Sequence, residues 1–395
     1  MTIDLLSFLR KNVSKQKCND LSLPLLTVVI PSYCRQDFIV RQCAYWHGSG
    51  ASVVIMDGSP QPLVGNLQKA IASFVDITYV HSVTSVTERL KRAADLVKTP
   101  YTIICSDDEF LLFSGLCSAI KLLEQDPDLV ACIGQSLNYS LSNHGTKCYY
   151  SKGYDTYRYE IRQDDVQDRL NTSMKDYTPA TCCAVIRSDV WHRSWGCLQG
   201  FSSAGVGELE QAFAIYIWGK LGSVDAVYWM RSSENPPISA ADTNRSLSIE
   251  DWSVSNKYKT EQVNFITKLG DELISAQHID RAAAEIIVID AFDIYLRDQN
   301  HYRNSSYHHK CRQFAVRVLK DWCPEIWVSY LQRLRYRLKL TFPKAFVTGS
   351  FGNLADLKAT RAQLPFLFND ELVADLSAME KLITDFYNSC SVQSE

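Results

Sequence analysis

The chain predicts an α/β fold: a doubly wound, mostly parallel mixed sheet with helices on both faces, followed by a helical C-terminal extension. Three observations point there. Short β-branched runs alternate with helical stretches from residue 25 to about residue 133, and that alternation implies crossover helices and hence a parallel sheet. Polar clusters at 32–35, 57–59 and 107–109 each follow directly on one of those runs, at the carboxyl strand ends where such sheets bind ligands. Beyond residue 255 the periodicity turns helical and strand signals fade. The expected division is therefore a helical segment over 1–24, an α/β domain over 25–250 and the extension over 251–395.

Taken in order, the run LLTVVI at 25–30 is stopped by Pro31 and reads as a buried parallel strand. Residues 36–48 can form a helix. ASVVIM at 51–56 is a second strand, ended by the turn cluster Asp57, Gly58, Ser59 and Pro60. ITYV at 77–80 is a third, and 85–98 places Val86, Leu90, Ala93, Ala94 and Val97 on one helical face. Pro100 stops that helix, and YTIIC at 101–105 is a fourth strand running into Ser106, Asp107, Asp108 and Glu109. A helix over 114–125 and a strand over 129–133 continue the rhythm. Residues 140–180 are rich in tyrosine and charge and read as irregular. After them, 180–186 reads as a strand, 205–218 as a helix, and 224–231 as a last strand before Asn235, Pro236 and Pro237.

With 46% hydrophobic and 22% charged residues, the chain has the apolar material for a sizeable core. A formal net charge of −3 gives no global electrostatic reason for binding nucleic acid. The 13 cysteines are odd in number, have apolar neighbours and form no paired CxxC units. They read as reduced thiols of a cytosolic protein, not as a disulfide frame or a zinc site. The N-terminus, MTIDLLSFLRKNVSKQK, lacks the apolar core of a signal peptide. No run approaches the ~20 apolar residues of a membrane-spanning helix, so a cytoplasmic location is expected. GxSxG, GxxxxGK[ST] and GxGxxG are all absent, which removes the simplest support for a serine hydrolase, a P-loop NTPase or a dehydrogenase.

The motifs VIPSYCR at 29–35, MDGS at 56–59 and CSDDEF at 105–110, with an acidic helix start at Glu208 and Glu210, resemble in order and spacing the nucleotide-sugar motifs of family 2 glycosyltransferases. The resemblance covers residues 25–235. It implies a GT-A fold and a hexosyltransferase-type enzyme that moves a sugar from a nucleoside-diphosphate donor to a glycan or lipid-linked acceptor. By the same resemblance, the loop with Pro31, Ser32, Tyr33 and Arg35 cradles base and ribose, and Asp57 with Gly58 lies near the base. Asp107, Asp108 and Glu109 would hold Mg²⁺ or Mn²⁺ against the diphosphate, Asp107 also touching the donor. Hard cations prefer carboxylate oxygens and neutralise a departing diphosphate. The acidic triplet admits two registers: one puts Cys105 where the first Asp of a DxD motif stands, the other aligns Asp107, Asp108, Glu109 and Phe110 with an Asp-Asp-Asp-Phe variant and is preferred here. The resemblance also implies a phosphate contact for Arg89, whose alternative is a solvated helix face. Glu208 falls at the position of the family's catalytic base in an inverting displacement, with Glu210 as a secondary acid. Both could instead simply complement the helix N-terminus.

Tyr177, Trp195 and Phe201 either stack on sugar rings or, as the preferred reading, pack internally. Residues 301–346 carry ten Lys and Arg interleaved with Trp322, Trp327, Tyr330, Tyr336 and Phe342, against only Asp321 and Glu325. That stretch is a solvated face or a peripheral contact with the inner face of an anionic membrane, where a lipid-linked acceptor lies. No nucleic-acid recognition module accompanies the charges. The alternative from another class is a catalytically degenerate nucleotide- or carbohydrate-binding protein of the same fold, suggested by the unusual stretch 105–109.

Overall fold

The computed structural model describes residues 5–13, 22–142, 147–235, 247–305, 350–364 and 366–391. Its centre is β1 (Leu26–Ser32), in which Thr27, Val28, Val29 and Ile30 are all fully buried. Consecutive side chains point to opposite faces of a strand, so burial of every one requires cover on both faces of the sheet. β2 (Ser52–Asp57), β3 (Ile77–His81) and β4 (Tyr101–Ile104) run parallel to it in the order β3-β2-β1-β4. The crossovers are α2 (Gln36–Trp46), α3 (Gly65–Ala72) and α4 (Val86–Ala94), preceded by α1 (Leu5–Val13). Register places Ser32 opposite Asp57 and Asp57 opposite His81, which levels the three strand ends.

The chain continues through β5 (Phe110–Leu111), α5 (Phe113–Gln125), β6 (Leu129–Ser142), β7 (Lys147–Lys152), α6 (Val166–Lys175), β8 (Val185–Arg187), α7 (Ser188–Arg193), α8 (Ala204–Trp218) and β9 (Lys220–Ser232). β8 is antiparallel to both β4 and β6, whereas β9 is parallel to β6. The sheet is thus mixed and mostly parallel, as expected. Two of the expected strands change most. The run 180–186 is not one strand: Pro179–Cys183 is a 3₁₀ turn, and only Val185–Arg187 joins the sheet. Thr178 caps that turn and Pro179, which has no N–H to donate, opens it. The strand expected over 129–133 runs on to Ser142, through Gly134, Gln135, Ser136 and Asn138, whose polar or minimal side chains hide the strand from an apolar pattern. Its pairing with β9 shifts register near Gln135, as a β-bulge does.

The remainder comprises α9 (Ile249–Val254), α10 (Lys259–Gln277), α11 (Arg281–Ser305), β10 (Ser350–Gly352), α12 (Leu354–Ala359) and α13 (Asp370–Ser391). It is not purely helical, because β10 pairs antiparallel with β7 and extends the sheet. Phe386 of α13 packs 5.5 Å from Phe8 and 5.7 Å from Phe38, measured between ring centroids. Asp375 of the same helix accepts from the Ser114 backbone N–H at 2.9 Å and from its hydroxyl at 2.6 Å. On the other side, Phe265 of α10 meets Phe201, Phe213 and Trp252 edge-on. One continuous buried core therefore runs from Phe8 to Phe386. Of the basic stretch 301–346, residues 306–346 lie outside the described residues. Nine cysteines among the described residues are free thiols. No described helix is long and apolar enough to cross a membrane.

Candidate active site

The ends of β1 and β2 are tied together before any site is built. The Gly58 N–H donates to Ser32 O at 2.9 Å. Arg89 of α4, only 5% exposed, donates through Nη1 to Ser32 O at 2.5 Å and Met56 O at 2.6 Å. Its guanidinium lies against Gly58 so closely that a Cβ there would fall 2.5 Å from Arg89 Cζ. Arg89 is therefore placed in the wall as a clamp on two strand ends, not on an open helix face. Beyond β1 the chain turns at Cys34, whose φ of 55° is left-handed and uncommon for a residue with a side chain. The Cys34 N–H is held by Ser59 Oγ at 2.9 Å. This turn leaves Tyr33 46% exposed, Pro31 half-buried, and Arg35 at the start of α2.

Asp57 is fully buried. Its Oδ1 accepts from the Ser59 N–H at 2.8 Å and Ser59 Oγ at 2.5 Å, and its Oδ2 from Tyr79 OH at 2.7 Å and Gln36 Nε2 at 3.0 Å. Burial alone pushes this carboxyl up, but the bonds from Ser59, Tyr79 and Gln36 outweigh it and leave its pKa below the ordinary value. Gln36 and Tyr79 were not singled out from the sequence.

The acidic loop after β4 divides. Asp107, 1% exposed, accepts from Ser32 Oγ at 2.7 Å and from Arg35 Nη1 at 3.1 Å. The same Arg35 nitrogen lies 3.3 Å from Asp108 Oδ2, which also accepts from Asn235 Nδ2 at 3.0 Å. Glu109 turns away and accepts from the Trp229 indole N–H at 2.8 Å. Burial, with the charge of Asp108, pushes Asp107 up to about 6 against the pull of Arg35 and Ser32. Burial likewise pushes Glu109 up to about 7, against the Trp229 bond and Arg231 and with the help of Asp108. Asp107 and Asp108 thus converge on one cation position, where the Arg35 nitrogen now stands in, and Glu109 does not join them. Among the described residues no three His, Cys, Asp or Glu side chains are grouped to hold a metal ion. Of the three expected ligands, Asp107 and Asp108 thus lie side by side and Glu109 turns away from them. Cys105 is buried, and burial together with the neighbouring carboxylates pushes its thiol well above the usual range, so it is a neutral thiol inside the fold.

The backbone of this loop is fixed from below the carboxylates by residues far away in sequence. Fully buried Arg41 donates to Asp108 O at 3.0 Å and to both oxygens of Glu234 at 3.0 and 2.8 Å. Tyr139 OH lies 2.7 Å from Asp108 O and 2.5 Å from Glu234 Oε1, and Tyr387 OH donates to Glu234 Oε2 at 2.5 Å. The Arg41 guanidinium is packed on the rings of Phe38, Phe110 and Phe386.

Glu208 and Glu210 part company on α8. Glu208 is exposed; the protein walls around it still push its carboxyl up by excluding water, against the pull of Arg231. Arg231 lies over the rings of Tyr154 and Trp229, which stack at 5.7 Å, and reaches Glu109 and Glu208 electrostatically. Its charge thus acts on one carboxyl of the acidic loop and one of α8. Glu210 is instead buried, 2.8 Å from Lys268 Nζ of α10 and accepting from the Gln199 N–H at 3.0 Å. The expected secondary acid is thus absorbed in a structural ion pair. Tyr177, Trp195 and Phe201 pack: Tyr177 meets Tyr295 edge-on, Trp195 is buried and Phe201 lies against Trp252 and Phe265.

These features define a mixed α/β protein whose mostly parallel sheet gathers paired carboxylates and one exposed glutamate at and near its strand ends. Compared with solved structures, it is similar to S. aureus TarS 1-349, at 12% identity and a TM-score of 0.39, over 71% of this chain and 92% of that one. A second crystal structure of S. aureus TarS matches at 14% identity and a TM-score of 0.39, over 71% of this chain and 56% of that one. No protein-family model and no curated protein sequence matches the chain.

Proposed function

We propose that this protein is a nucleotide-sugar-dependent glycosyltransferase of the GT-A, family 2-like type that inverts the anomeric centre and acts on a glycan or lipid-linked acceptor. The supporting observation is that three motifs separated in sequence meet in space, with Ser32 and Arg35 on Asp107 and Ser32 paired in register with Asp57. A nucleoside-diphosphate donor needs polar groups for its base and ribose, countercharge for its diphosphate, and a base for the acceptor proton. In this reading the turn built on buried Asp57, with Gln36 and Tyr79 as its partners, lies near the nucleoside, and Pro31, Ser32, Tyr33, Arg35 and Gly58 line the donor loop. Asp107 and Asp108 would hold Mg²⁺ or Mn²⁺, which when bound neutralises charge on the leaving diphosphate.

Glu208 supplies the base. It takes the proton of an acceptor hydroxyl as that oxygen bonds to the anomeric carbon and the sugar's bond to the nucleoside diphosphate breaks. The raised pKa of Glu208 gives it more basicity than an ordinary carboxylate while its exposure leaves it reachable. The charge of Arg231 attracts it. A thermal-unfolding panel of nucleotide sugars, with and without Mn²⁺, tests the reading. The true donor at a hundredfold excess over its Kd stabilises the fold by about 2.7 kcal/mol. If no nucleotide sugar moves the midpoint under either condition, the donor site is not there.

A further inference from the structure

Arg35 occupies a position that a bound cation would need. One of its nitrogens lies 3.1 Å from Asp107 Oδ1 and 3.3 Å from Asp108 Oδ2, so a divalent cation coordinating those two oxygens from the same side would meet the guanidinium, and from either side would be repelled by its charge. The two carboxylates are buried and adjacent, and without a cation between them their like charges would repel in a medium that screens poorly. Arg35 relieves that repulsion in the unliganded protein. Its side chain is anchored differently from the other arginines at these strand ends. Arg41 and Arg89 are buried on backbone carbonyls, whereas Arg35 springs from the exposed turn at Cys34 and keeps 16% of its side chain open to solvent. A guanidinium at the mouth of the site can change partners, and a diphosphate is a partner it matches in a two-pronged fashion.

We propose that Arg35 is an internal counter-ion that holds Asp107 and Asp108 until a nucleoside diphosphate draws it away, so that diphosphate and divalent cation load together and neither loads well alone. The proposal rests on the donor reading above and adds to it a positioning residue and an order to binding. Linkage makes the effect reciprocal: whatever the diphosphate does for cation affinity, the cation does for diphosphate affinity.

The test uses the full chain and reads Mn²⁺ binding directly, by electron paramagnetic resonance titration without any sugar or acceptor. With no nucleotide present, Arg35→Gln and Arg35→Met are each expected to bind Mn²⁺ about tenfold more tightly than the wild type, a factor within the usual range of coupling. Arg35→Lys, which keeps the charge, is expected to remain weak. Adding Asp107→Asn to Arg35→Gln should remove the gain, which places the ion on the carboxylate pair. In the wild type, one of the diphosphates of uridine, guanosine, adenosine or thymidine should raise Mn²⁺ affinity by a similar factor, corrected for ion bound by free nucleotide, and that rise should be lost in Arg35→Gln. If folded Arg35→Gln and Arg35→Met bind Mn²⁺ no better than the wild type, Arg35 is not the counter-ion, whatever the nucleotides do. If they bind it better but no nucleoside diphosphate binds the wild type, the donor reading falls and takes the coupled loading with it.

Discussion

Gly58 and Arg89 compete for one small volume, which makes the glycine a requirement of the clamp. In Gly58→Ala the new methyl would lie 2.5 Å from Arg89 Cζ and would displace a guanidinium that satisfies Ser32 O and Met56 O. Loss of such buried bonds is expected to cost about 1–3 kcal/mol, measured as a lowered urea midpoint; an unchanged midpoint would mean that Arg89 does not clamp the strand ends. Glu208 makes a prediction about rate. Glu208→Gln is expected to keep the donor-induced thermal shift while transfer falls about 10²–10⁴-fold. A base must be ionised, and the carboxyl of Glu208 is raised. The acid limb of the wild-type pH–rate profile should therefore lie above the ordinary carboxylate range and disappear from the residual activity of the variant. Asp57, Asp107 and Glu208 could be picked out as candidates from the sequence, because each is a carboxylate close after an apolar strand or at the start of a helix within the motifs that carry the family resemblance. Gln36, Tyr79 and Arg231 could not. Tyr79 lies inside the strand ITYVH and reads as ordinary β-propensity until the β2–β3 pairing brings it to Asp57.

The elements are joined by buried polar contacts that no local pattern announces. Arg41 and Glu234 are 193 residues apart in sequence, yet they link α2, β6 and α13 beneath the acidic loop. Arg41 lies in a helix buried from Phe38 through Trp46, so its charge and that of its partner are both removed from water. Breaking such a pair by removing one member costs about 3–5 kcal/mol. Arg41→Met should show this in denaturant unfolding, and Arg41→Met combined with Glu234→Gln should lose less than the sum of the two single changes. Strict additivity would show that the pair is not coupled. The contact between α13 and α5 carries a pH signature. Burial pushes the Asp375 carboxyl up, although both bonds from Ser114 oppose the rise. The folded state thus holds this proton more tightly than the unfolded state. Its contribution to stability is full below the unfolded carboxylate range and is lost as pH rises through the shifted value. Asp375→Asn should gain on the wild type between mildly acidic and neutral pH, read from urea midpoints in the two buffers. A constant difference would remove Asp375 from the pH dependence.

For the molecule as a whole, the α/β alternation was legible because it is a local period, with four short strand runs between residues 25 and 105. The path of the last third was not. β10 is three residues long, and where α13 docks depends on a surface that exists only after α1, α2 and α5 have packed. The result is one core in which the strand ends depend on residues beyond 250. Without α10, Glu210 loses Lys268. Without α13, Glu234 loses Tyr387, Arg41 loses the Phe386 ring and Ser114 loses Asp375. A single unpaired buried charge costs about 3–5 kcal/mol, comparable with the 5–15 kcal/mol by which a typical domain is stable at all. Residues 25–250 produced alone are therefore expected to lack the near-ultraviolet circular dichroism of packed aromatic rings and to unfold without a sharp transition. The full chain should lose near- and far-ultraviolet signals together on heating. A 25–250 fragment with a native near-ultraviolet spectrum and a cooperative melt would show that the α/β region stands by itself and that the contacts from α10 and α13 are accessory.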